Sequence, residues 1–380
     1  MIGGFPRRIN RVPCCLPGPA LSRPLVVLLN FGGPRQLAEV ETFLFEILRD
    51  PNTIRLPCPE WLQDRLARRI ARRRAPETAR QYGEIGGRSP IVEDTERIAR
   101  AMNEALPPGL PPARIAHRYL PGWTRELARA IVAEGFDDLF AVPLYPHFSY
   151  ATTGSSLEQL RQELDGAGFR GRLMTLRSYP DDPGYVEALG DRLTETLALA
   201  GLKPEGTVIL CSAHGLPAKY VAQGDPYRLE LYRTLEALRE RFPEWRIDLA
   251  FQSRVGPMQW LRPYTDEYVP VLAAQGARDL VFLPLSFVND HIETIYEIGH
   301  TYFELARRHG LRPHRVPAVS AHPAHIRALA GAVGRWSAGR GGIPAAELMP
   351  PSQDFARRGV WIWSAWAAAL LATLLNAWCR

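Results

Sequence analysis

The sequence predicts an α/β fold of two similar doubly wound domains, each with a parallel sheet flanked by helices, and a candidate active-site cleft between them. Short apolar runs alternate with amphipathic segments along most of the 380 residues, which is typical of parallel sheets with helical crossovers. The alternation occurs twice. Segments 27–34 and 138–149 of the first half resemble segments 208–217 and 279–290 of the second, which indicates a duplicated fold.

Eight apolar runs are predicted to be buried strands, because each is short, rich in Val, Leu or Ile, and separated from the next by an amphipathic or turn-forming segment. In chain order they are 25–30, 114–119, 138–144, 172–177, 207–212, 246–253, 279–285 and 314–320. Apolar residues at helical spacing predict helices over 92–106, 124–135, 226–241, 263–275 and 293–309.

The same pattern divides the chain into segments. We expect a loose N-terminal extension over 1–23, Rossmann-like domains over 24–178 and 179–330, a linker over 331–358, and an apolar C-terminal helix over 359–380. Residues 360–378 carry no charge and have borderline length for crossing a bilayer. The sequence leaves two interpretations open for this helix, a membrane contact or packing on the body of the protein.

The composition indicates where the protein is located and which classes of partner it is expected to bind. The formal net charge is +6, and only Lys203 and Lys219 are lysines, so nearly all the basic residues are arginine. Five cysteines without a C-x-x-C pair argue against a zinc site and indicate a reducing compartment. We therefore expect a cytoplasmic protein, attached to the inner membrane if the C-terminal helix inserts.

No G-x-G-x-x-G follows a strand and no P-loop lysine is present, which disfavours nucleotide binding. We also expect no nucleic-acid partner.

Ligands of doubly wound sheets bind beyond the carboxyl ends of the strands. The polar residues that follow the predicted strands are therefore the site candidates: Asn30–Gly33, Arg118–Tyr119, Tyr145–His147, His214 and Asn289–Glu293.

Segment 289–300, NDHIETIYEIGH, concentrates ionisable side chains in a predicted helix. Glu293 and Glu297 are four residues apart, which places two carboxylates on one face. One interpretation is a solvated acidic face. The position directly after an apolar strand favours a path for cations or protons instead, and mixed carboxylate and imidazole ligands suit Fe, Co, Ni or Zn.

Several motifs follow one another along the chain: NFGGP, QYGEIGGRSPI, HRYLPGW, PLYPHFSYATTGSSL, SAHGLP, GDPY, QSRVGPMQWL and NDHIETIYE. Together they resemble the ferrochelatases, the lyases that insert ferrous iron into protoporphyrin IX. The resemblance extends from about Pro24 to about Ala321. It implies a cleft between the two halves that holds the flat macrocycle.

The resemblance also implies roles for individual residues. His214 and Glu293 would be the iron ligands and would handle the pyrrole protons, acting from opposite faces of the ring, while His291 orients Glu293. Asp290 and Glu297 would form an acidic path. Residues implied to contact the porphyrin are Phe31, Arg74, Tyr82, Ser89, Arg118, Tyr119, Tyr145 and Trp260.

The partners expected from the resemblance are protoporphyrin IX and Fe(II), both as substrates, with no permanently bound cofactor. Some family members hold a [2Fe–2S] cluster, but Tyr150 stands where the first cluster cysteine would be and the tail holds only Cys379, so we expect no cluster. Two alternatives remain: a coproporphyrin III ferrochelatase, which would need a more cationic rim, and a non-catalytic porphyrin or haem carrier. The oligomeric state is left open.

Overall fold

The computed structural model describes residues 22–50, 60–254 and 258–348. Its strands are β1 (Pro24–Asn30), β2 (Arg114–His117), β3 (Asp138–Pro143), β4 (Arg172–Thr175), β5 (Thr207–His214), β6 (Arg246–Gln252), β7 (Asp279–Pro284), β8 (Arg312–Arg315) and β9 (Ile343–Pro344). Its α-helices are α1 (Val40–Arg49), α2 (Glu60–Glu84), α3 (Ile91–Ala105), α4 (Trp123–Ala133), α5 (Ser155–Ala167), α6 (Pro183–Leu199), α7 (Ala218–Ala222), α8 (Tyr227–Arg241), α9 (Thr265–Ala274), α10 (Phe303–Arg308) and α11 (Pro323–Ser337). Two π-helices span Tyr150–Gly154 and Glu293–Tyr302, and 3₁₀ turns span Leu37–Glu39 and Ala345–Leu348.

Two sheets with the same topology confirm the predicted fold class. The first sheet has the order β2-β1-β3-β4-β9 and the second has the order β6-β5-β7-β8. All pairings are parallel except that of β9 with β4. Because the first four strands of each half follow the same order, the internal similarity of the sequence corresponds to a repeated unit.

The strands are apolar on both faces because helices cover both faces of each sheet. Along β1, Val26 and Leu28 belong to one hydrophobic cluster while Val27 and Leu29 belong to another, as the two-residue period of a strand requires. The first of these clusters also contains Ile209 of β5. A single apolar layer therefore joins the inner faces of the two halves.

Each half has a π-helix after its third strand. Segment 150–154 follows β3, and segment 293–302 follows β7. The helix predicted over 293–309 exists, but its first ten residues have π geometry and only 303–308 are α-helical. Apolar periodicity could not distinguish the two, and π-helices are rare and concentrate at functional sites.

The C-terminal part of the described chain returns to the first half. Helix α11 packs against both α6 and α3, and Thr175 of β4 pairs with Ile343 of β9. The linker predicted over 331–358 thus starts inside α11. A two-residue strand has too few side chains to produce an apolar pattern, so the sequence did not indicate β9. The domain boundaries stay a prediction.

The predicted location is corrected by the structure. Within residues 22–50, 60–254 and 258–348 no helix is both long enough and apolar enough to cross a bilayer. The expected C-terminal helix over 359–380, and with it the membrane contact through 360–378, lies outside the described residues. The prediction of a cytoplasmic protein attached to the inner membrane is therefore withdrawn.

Candidate active site

Two strand ends of the second sheet bring His214 and Glu293 together. His214 is the last residue of β5, and Glu293 begins the π-helix that follows β7, the neighbour of β5 in the sheet. His214 Nε2 lies 3.7 Å from Glu293 Oε1, with 34% and 28% of the two side chains exposed. The pair that the resemblance implied is thus adjacent in space and reachable from solvent.

This distance corrects the expectation that the two residues act from opposite faces of a ring. A ring between them would need two van der Waals contacts of about 3.5–4.0 Å, or roughly 7 Å in all. His214 and Glu293 are 3.7 Å apart because they belong to adjacent strands of one sheet. They therefore lie side by side at the carboxyl end of the second sheet.

The tautomer of His214 follows from its partner. His214 Nδ1 lies 2.5 Å from the carbonyl oxygen of Gly215, and a carbonyl oxygen can only accept a hydrogen bond. Nδ1 therefore carries the proton. In the neutral imidazole, Nε2 then has a free lone pair directed toward Glu293.

Glu293 is a carboxyl group with little hydrogen bonding. Its Oε2 atom is buried and has no hydrogen-bond partner among the described residues. Burial raises the pKa of Glu293, and the nearby His214 partly opposes that rise. A proton or a cation at Oε2 would offset the free-energy cost of burying an anionic oxygen that has no hydrogen-bond partner.

His291 contacts the main chain of Glu293. The Glu293 N–H donates to His291 Nδ1 at 3.1 Å, so the neutral imidazole carries its proton on Nε2. Burial lowers the pKa of His291 to about 4, which keeps the ring neutral near pH 7. The predicted orienting contact is thus present, and it acts through the backbone of Glu293 rather than its carboxylate.

Glu297 differs from Glu293 in being fully hydrogen-bonded. It accepts from Gln252 Nε2 at 3.2 Å, from the Ser253 N–H at 3.0 Å and from the Tyr302 hydroxyl at 3.0 Å, and the Ser253 hydroxyl donates to it as well. Burial and the proximity of Glu293 raise the pKa of Glu297. Glu297 is therefore held in place, whereas Glu293, four residues earlier, has an oxygen without a hydrogen-bond partner among the described residues.

Asp290 has partners that the local sequence did not reveal. Arg315 Nη1 donates to Asp290 Oδ1 at 2.7 Å, and the Thr294 hydroxyl donates to the same oxygen at 2.7 Å. Segment 289–300 contains no arginine or lysine, so the neutralising charge could be found only through the fold. Asp290 thus forms an ion pair within the fold. Its place in the acidic path stays a prediction.

Aromatic side chains surround the His214 imidazole. Trp260 and Phe287 both lie edge-on to it, with ring centroids 6.4 Å and 6.5 Å away. Trp260 approaches because residue 215 is glycine: an added Cβ would lie 2.8 Å from the Gln252 carbonyl oxygen and 3.0 Å from the Trp260 ring. This part of the wall suits a flat apolar ligand.

Tyr82, in the first half of the chain, lies near Glu293. Tyr82 is buried on α2, and its pKa is raised by burial and by the charge of Glu293, while a hydrogen bond with Ser89 opposes the rise. Ser89 packs closely against Gly33, where an added Cβ would lie 2.6 Å from Ser89 Oγ. Tyr82 is thus close enough to Glu293 to be affected by its charge, and Ser89 contacts the Tyr82 side chain.

A second group of predicted contact residues clusters around Asp50. Arg118 Nη2 and the Tyr119 hydroxyl each donate to Asp50 Oδ2 at 2.6 Å. Phe31 packs edge-on against Tyr119, with ring centroids 4.5 Å apart. The guanidinium of Arg118 is therefore compensated by a buried carboxylate.

The two remaining predicted contact residues lie apart from the pair. Arg74 is exposed on α2, and the structure records no contact between it and the residues of the pair. Tyr145 is buried after β3, and its hydroxyl lies 3.5 Å from Ser156 Oγ. The structure gives neither residue a direct contact with the pair, so their porphyrin contacts stay predictions.

Comparison with known proteins identifies the family. The ferrochelatase family model matches residues 25–336. This chain belongs to the ferrochelatase family. A ferrochelatase of Geotalea uraniireducens is 40% identical over 309 residues, covering 81% of this chain and 96% of that protein. A ferrochelatase of Synechocystis sp. is 41% identical over 312 residues, covering 80% of each.

A solved structure supports the fold of this ferrochelatase family member. SirB from Bacillus subtilis with Fe³⁺ matches with a TM-score of 0.54 and 11% identity, covering 84% of this chain and 99% of that chain. At this identity the likeness concerns the fold alone. Family membership, shown by the sequence matches, makes the chain a lyase that inserts iron into a porphyrin.

Sequence reasoning missed several residues of this ferrochelatase site. Phe287 lies between two imidazoles, 6.5 Å from His214 and 4.3 Å from His291 between ring centroids, and Gln252 and Ser253 hold Glu297. The motif QSRVGPMQWL contained both of the latter, but nothing in their spacing indicated a carboxylate partner. Ser253 adopts a φ of 63°, a strained conformation for a residue other than glycine, which directs its N–H toward Glu297.

Proposed function

We propose that this chain inserts ferrous iron into protoporphyrin IX to form protohaem, the last step of haem synthesis, with His214 and Glu293 at the metallation centre. The observation that carries this proposal is the 3.7 Å separation of His214 Nε2 and Glu293 Oε1, together with the Gly215 carbonyl that keeps the proton on Nδ1. A basic nitrogen and a carboxyl group with few hydrogen bonds are available side by side.

The reaction needs both groups. Metallation replaces two pyrrole N–H protons by one Fe²⁺ ion, so a base must receive protons while an anion stabilises the cation. Neutral His214 has a free lone pair on Nε2 for the first task. Glu293 has an unpartnered oxygen for the second, and Glu297 next to it offers a group to which a proton could pass.

A weak, transient iron site suits an enzyme that passes the metal ion on to the porphyrin. Across the described ranges no three His, Cys, Asp or Glu side chains converge as a metal site. Two protein ligands, His214 and Glu293, would hold the incoming Fe²⁺ loosely. The four porphyrin nitrogens would then replace them, which allows the ion to leave the protein side chains.

The choice of protoporphyrin is supported by the surroundings of the pair. Trp260 and Phe287 present apolar edges near His214, and they suit vinyl and methyl groups better than charged ones. Arg118, one of the two predicted cationic contacts, is already paired with Asp50. Protoporphyrin has two propionates and coproporphyrin has four, so protoporphyrin needs fewer cations at the rim of the site.

One observation favours the second candidate, coproporphyrin III. The stretch 65–74 of α2 holds six arginines and no acidic residue. Tyr82, which faces Glu293, lies further along the same helix. If this stretch lines the cleft entrance, its charge would suit the two additional propionates of coproporphyrin.

A competition assay decides between the substrates. Purified protein is given Fe(II) anaerobically with protoporphyrin IX or coproporphyrin III, and metalloporphyrin formation is followed by absorbance. We expect a higher kcat/KM for protoporphyrin and loss of activity in His214→Ala. His309→Ala, which removes an exposed imidazole, is the matched control and should match the wild type.

The assay also tests the carrier alternative and the proton acceptor. Tight porphyrin binding without metallation would indicate a carrier, and unchanged activity of His214→Ala would exclude His214 as the acceptor. The absence of a [2Fe–2S] cluster remains a separate prediction. Visible absorption of a cluster in freshly purified protein would contradict it.

A further inference from the structure

The backbone of His214 is held on both sides by buried side chains from two other segments. The His214 N–H donates to Ser286 Oγ at 2.8 Å, and the Tyr227 hydroxyl donates to the His214 carbonyl at 3.0 Å. Tyr227 and Ser286 are 2.8 Å apart through their hydroxyl oxygens. Tyr227 begins α8 and Ser286 follows β7, so three segments meet at this residue.

The directions of these hydrogen bonds are determined by the groups themselves. A backbone N–H can only donate and a carbonyl can only accept. Ser286 Oγ therefore accepts from His214. The Tyr227 proton points to the carbonyl of His214, so the Ser286 proton must point to the Tyr227 oxygen. The result is a closed ring of three hydrogen bonds with a single consistent orientation.

The peptide unit after His214 is restrained on its other edge as well. The Gly215 N–H donates to the Gln252 carbonyl at 2.8 Å, while the carbonyl of the same peptide unit accepts from Tyr227. The plane of the 214–215 peptide is thereby fixed. Its orientation determines where the next carbonyl, that of Gly215, can lie, and this is the group that accepts from Nδ1 at 2.5 Å.

We propose that Tyr227 and Ser286 are positioning residues that keep the catalytic imidazole of His214 in the Nδ1–H form by holding the backbone that presents the Gly215 carbonyl. This inference rests on the proposed role of His214 as proton acceptor. A neutral imidazole with its proton on Nε2 could not accept a pyrrole proton at that atom, so each molecule in that form would be inactive. Neither Tyr227 nor Ser286 needs to touch the porphyrin.

Tyr227→Phe is the most conservative test, since it removes one hydroxyl and keeps the ring. Releasing the His214 carbonyl loses one orienting hydrogen bond, worth about 1 kcal/mol or about fivefold in a rate. We expect kcat to fall by about 5- to 10-fold while KM for the porphyrin stays within about twofold. Ser286→Ala opens the same ring from the other side and should produce the same pattern.

A spectroscopic readout separates positioning from a general loss of structure. In protein labelled with ¹⁵N-histidine, two-bond ¹H–¹⁵N correlations distinguish Nδ1–H from Nε2–H imidazoles, and His214→Gln identifies the His214 signals by their disappearance. We expect the Nδ1–H pattern in the wild type without any metal or porphyrin. In Tyr227→Phe and in Ser286→Ala, an Nε2–H population of His214 should appear.

Tyr232→Phe is the matched control, because it makes the same change on an exposed residue of the same helix. It should leave both kcat and the His214 signals unchanged. An unaltered Nδ1–H pattern in both Tyr227→Phe and Ser286→Ala overturns the inference and leaves the proposed function intact. A changed tautomer with unchanged kcat would instead reject His214 as the proton acceptor.

Discussion

Asn30 at the end of β1 donates through its side-chain amide to the Asn289 side-chain oxygen after β7, at 2.8 Å, and this hydrogen bond joins the two halves of the chain. Both side chains are 1% exposed. Asn289 in turn donates to Asp94 Oδ2 at 2.6 Å, and Ser320 donates to the other Asp94 oxygen. Asn289 lies four residues before Glu293 in the segment that follows β7.

This pair should be energetically coupled. Removing either partner deprives a buried amide atom of the other of this hydrogen bond, so Asn30→Ala and Asn289→Ala should each lower the free energy of unfolding by about 1–3 kcal/mol. The double variant should lose less than the sum, with a coupling of about 0.5–3 kcal/mol. Urea unfolding followed by circular dichroism measures all three.

Asn103→Ala provides the control for the loss of an asparagine side chain, because Asn103 is exposed and bonds only within the first half, to Ala113. It should be less destabilising than Asn289→Ala and additive with Asn30→Ala. Strict additivity of Asn30→Ala and Asn289→Ala would show that the contact does not couple the halves.

The fold was predictable because its signals are local. Each run such as 25–30 or 207–212 is apolar on both faces, as strands covered on both sides must be, and the repeated order of strands followed from the duplication. The run predicted for β8, 314–320, begins two residues late and ends five residues late, since Pro313 and His314 interrupt the apolar pattern of the strand. The π geometry of 293–302 depends on backbone hydrogen bonding, which leaves no periodic trace in the sequence.

The site was predictable only where a residue has a motif of its own. His214 and Glu293 each follow a strand within a recognisable motif, but nothing in the sequence states whether they stand face to face or side by side. The structure shows that they stand side by side, because they follow adjacent strands of one sheet. The partner of Asp290 is Arg315, 25 residues away in the chain, so its neutralisation could not be inferred from local charge.

Glu293 should determine the acid limb of the activity profile. Burial raises its pKa above the ordinary value of 4.5, so the carboxyl stays protonated at a pH where an exposed glutamate is ionised. If the anion is the active form, kcat/KM rises with pH through this raised pKa. The ionisable groups near Glu293 include His214, Tyr82, Tyr227 and Glu297.

Glu293→Gln should remove this limb and reduce kcat by about 10²- to 10⁴-fold, the usual range for a lost acid–base group. The measurement is a pH series of zinc or iron insertion under anaerobic conditions. Glu304→Gln, on the exposed surface of α10, should retain the wild-type profile. A Glu293→Gln enzyme with the wild-type acid limb would assign that limb to another group.

Buried histidines should make the protein labile to acid. Burial lowers the pKa of His147 to about 3 and that of His117 and His325 to about 4, against an ordinary value of 6.5. The unfolded chain therefore binds more protons below pH 6.5. The stability they provide is complete above that pH and is lost as the pH falls toward about 4, at up to about 1.4 kcal/mol per pH unit for each histidine.

His147→Gln isolates one such contribution. His147 Nε2 is 2.8 Å from Thr234 Oγ1, and that hydroxyl donates to the Pro180 carbonyl, so the imidazole is the donor and a glutamine amide can replace it. Between about pH 7 and pH 5, urea unfolding should show an average slope reduced by about 1 kcal/mol per pH unit, because the limit of about 1.4 kcal/mol per pH unit is reached only well below pH 6.5. His309→Gln, on the surface, should leave the slope unchanged, and an unchanged slope in His147→Gln would contradict the assignment.

Arg118 should contribute more to stability than its exposed counterparts. Only 9% of its side chain and 7% of that of Asp50 are exposed, and their closest atoms are 2.6 Å apart. Arg118→Ala would remove a buried cation from beside the Asp50 carboxylate, so we expect a loss of about 3–5 kcal/mol in the free energy of unfolding. Arg125→Ala breaks the exposed pair with Glu163 and should lose no more than about 1 kcal/mol.

Arg118→Ala and Asp50→Asn decide whether Arg118 acts mainly on the fold or on the substrate. Porphyrin binding by Arg118 would require its guanidinium to leave Asp50 or to contact a propionate with the donors that Asp50 does not use. In the first case Asp50→Asn should lower KM for the porphyrin, because a weaker partner frees the cation. A stable Arg118→Ala protein with a raised KM would assign the residue to the substrate, whereas a destabilised protein with unchanged KM assigns it to the fold.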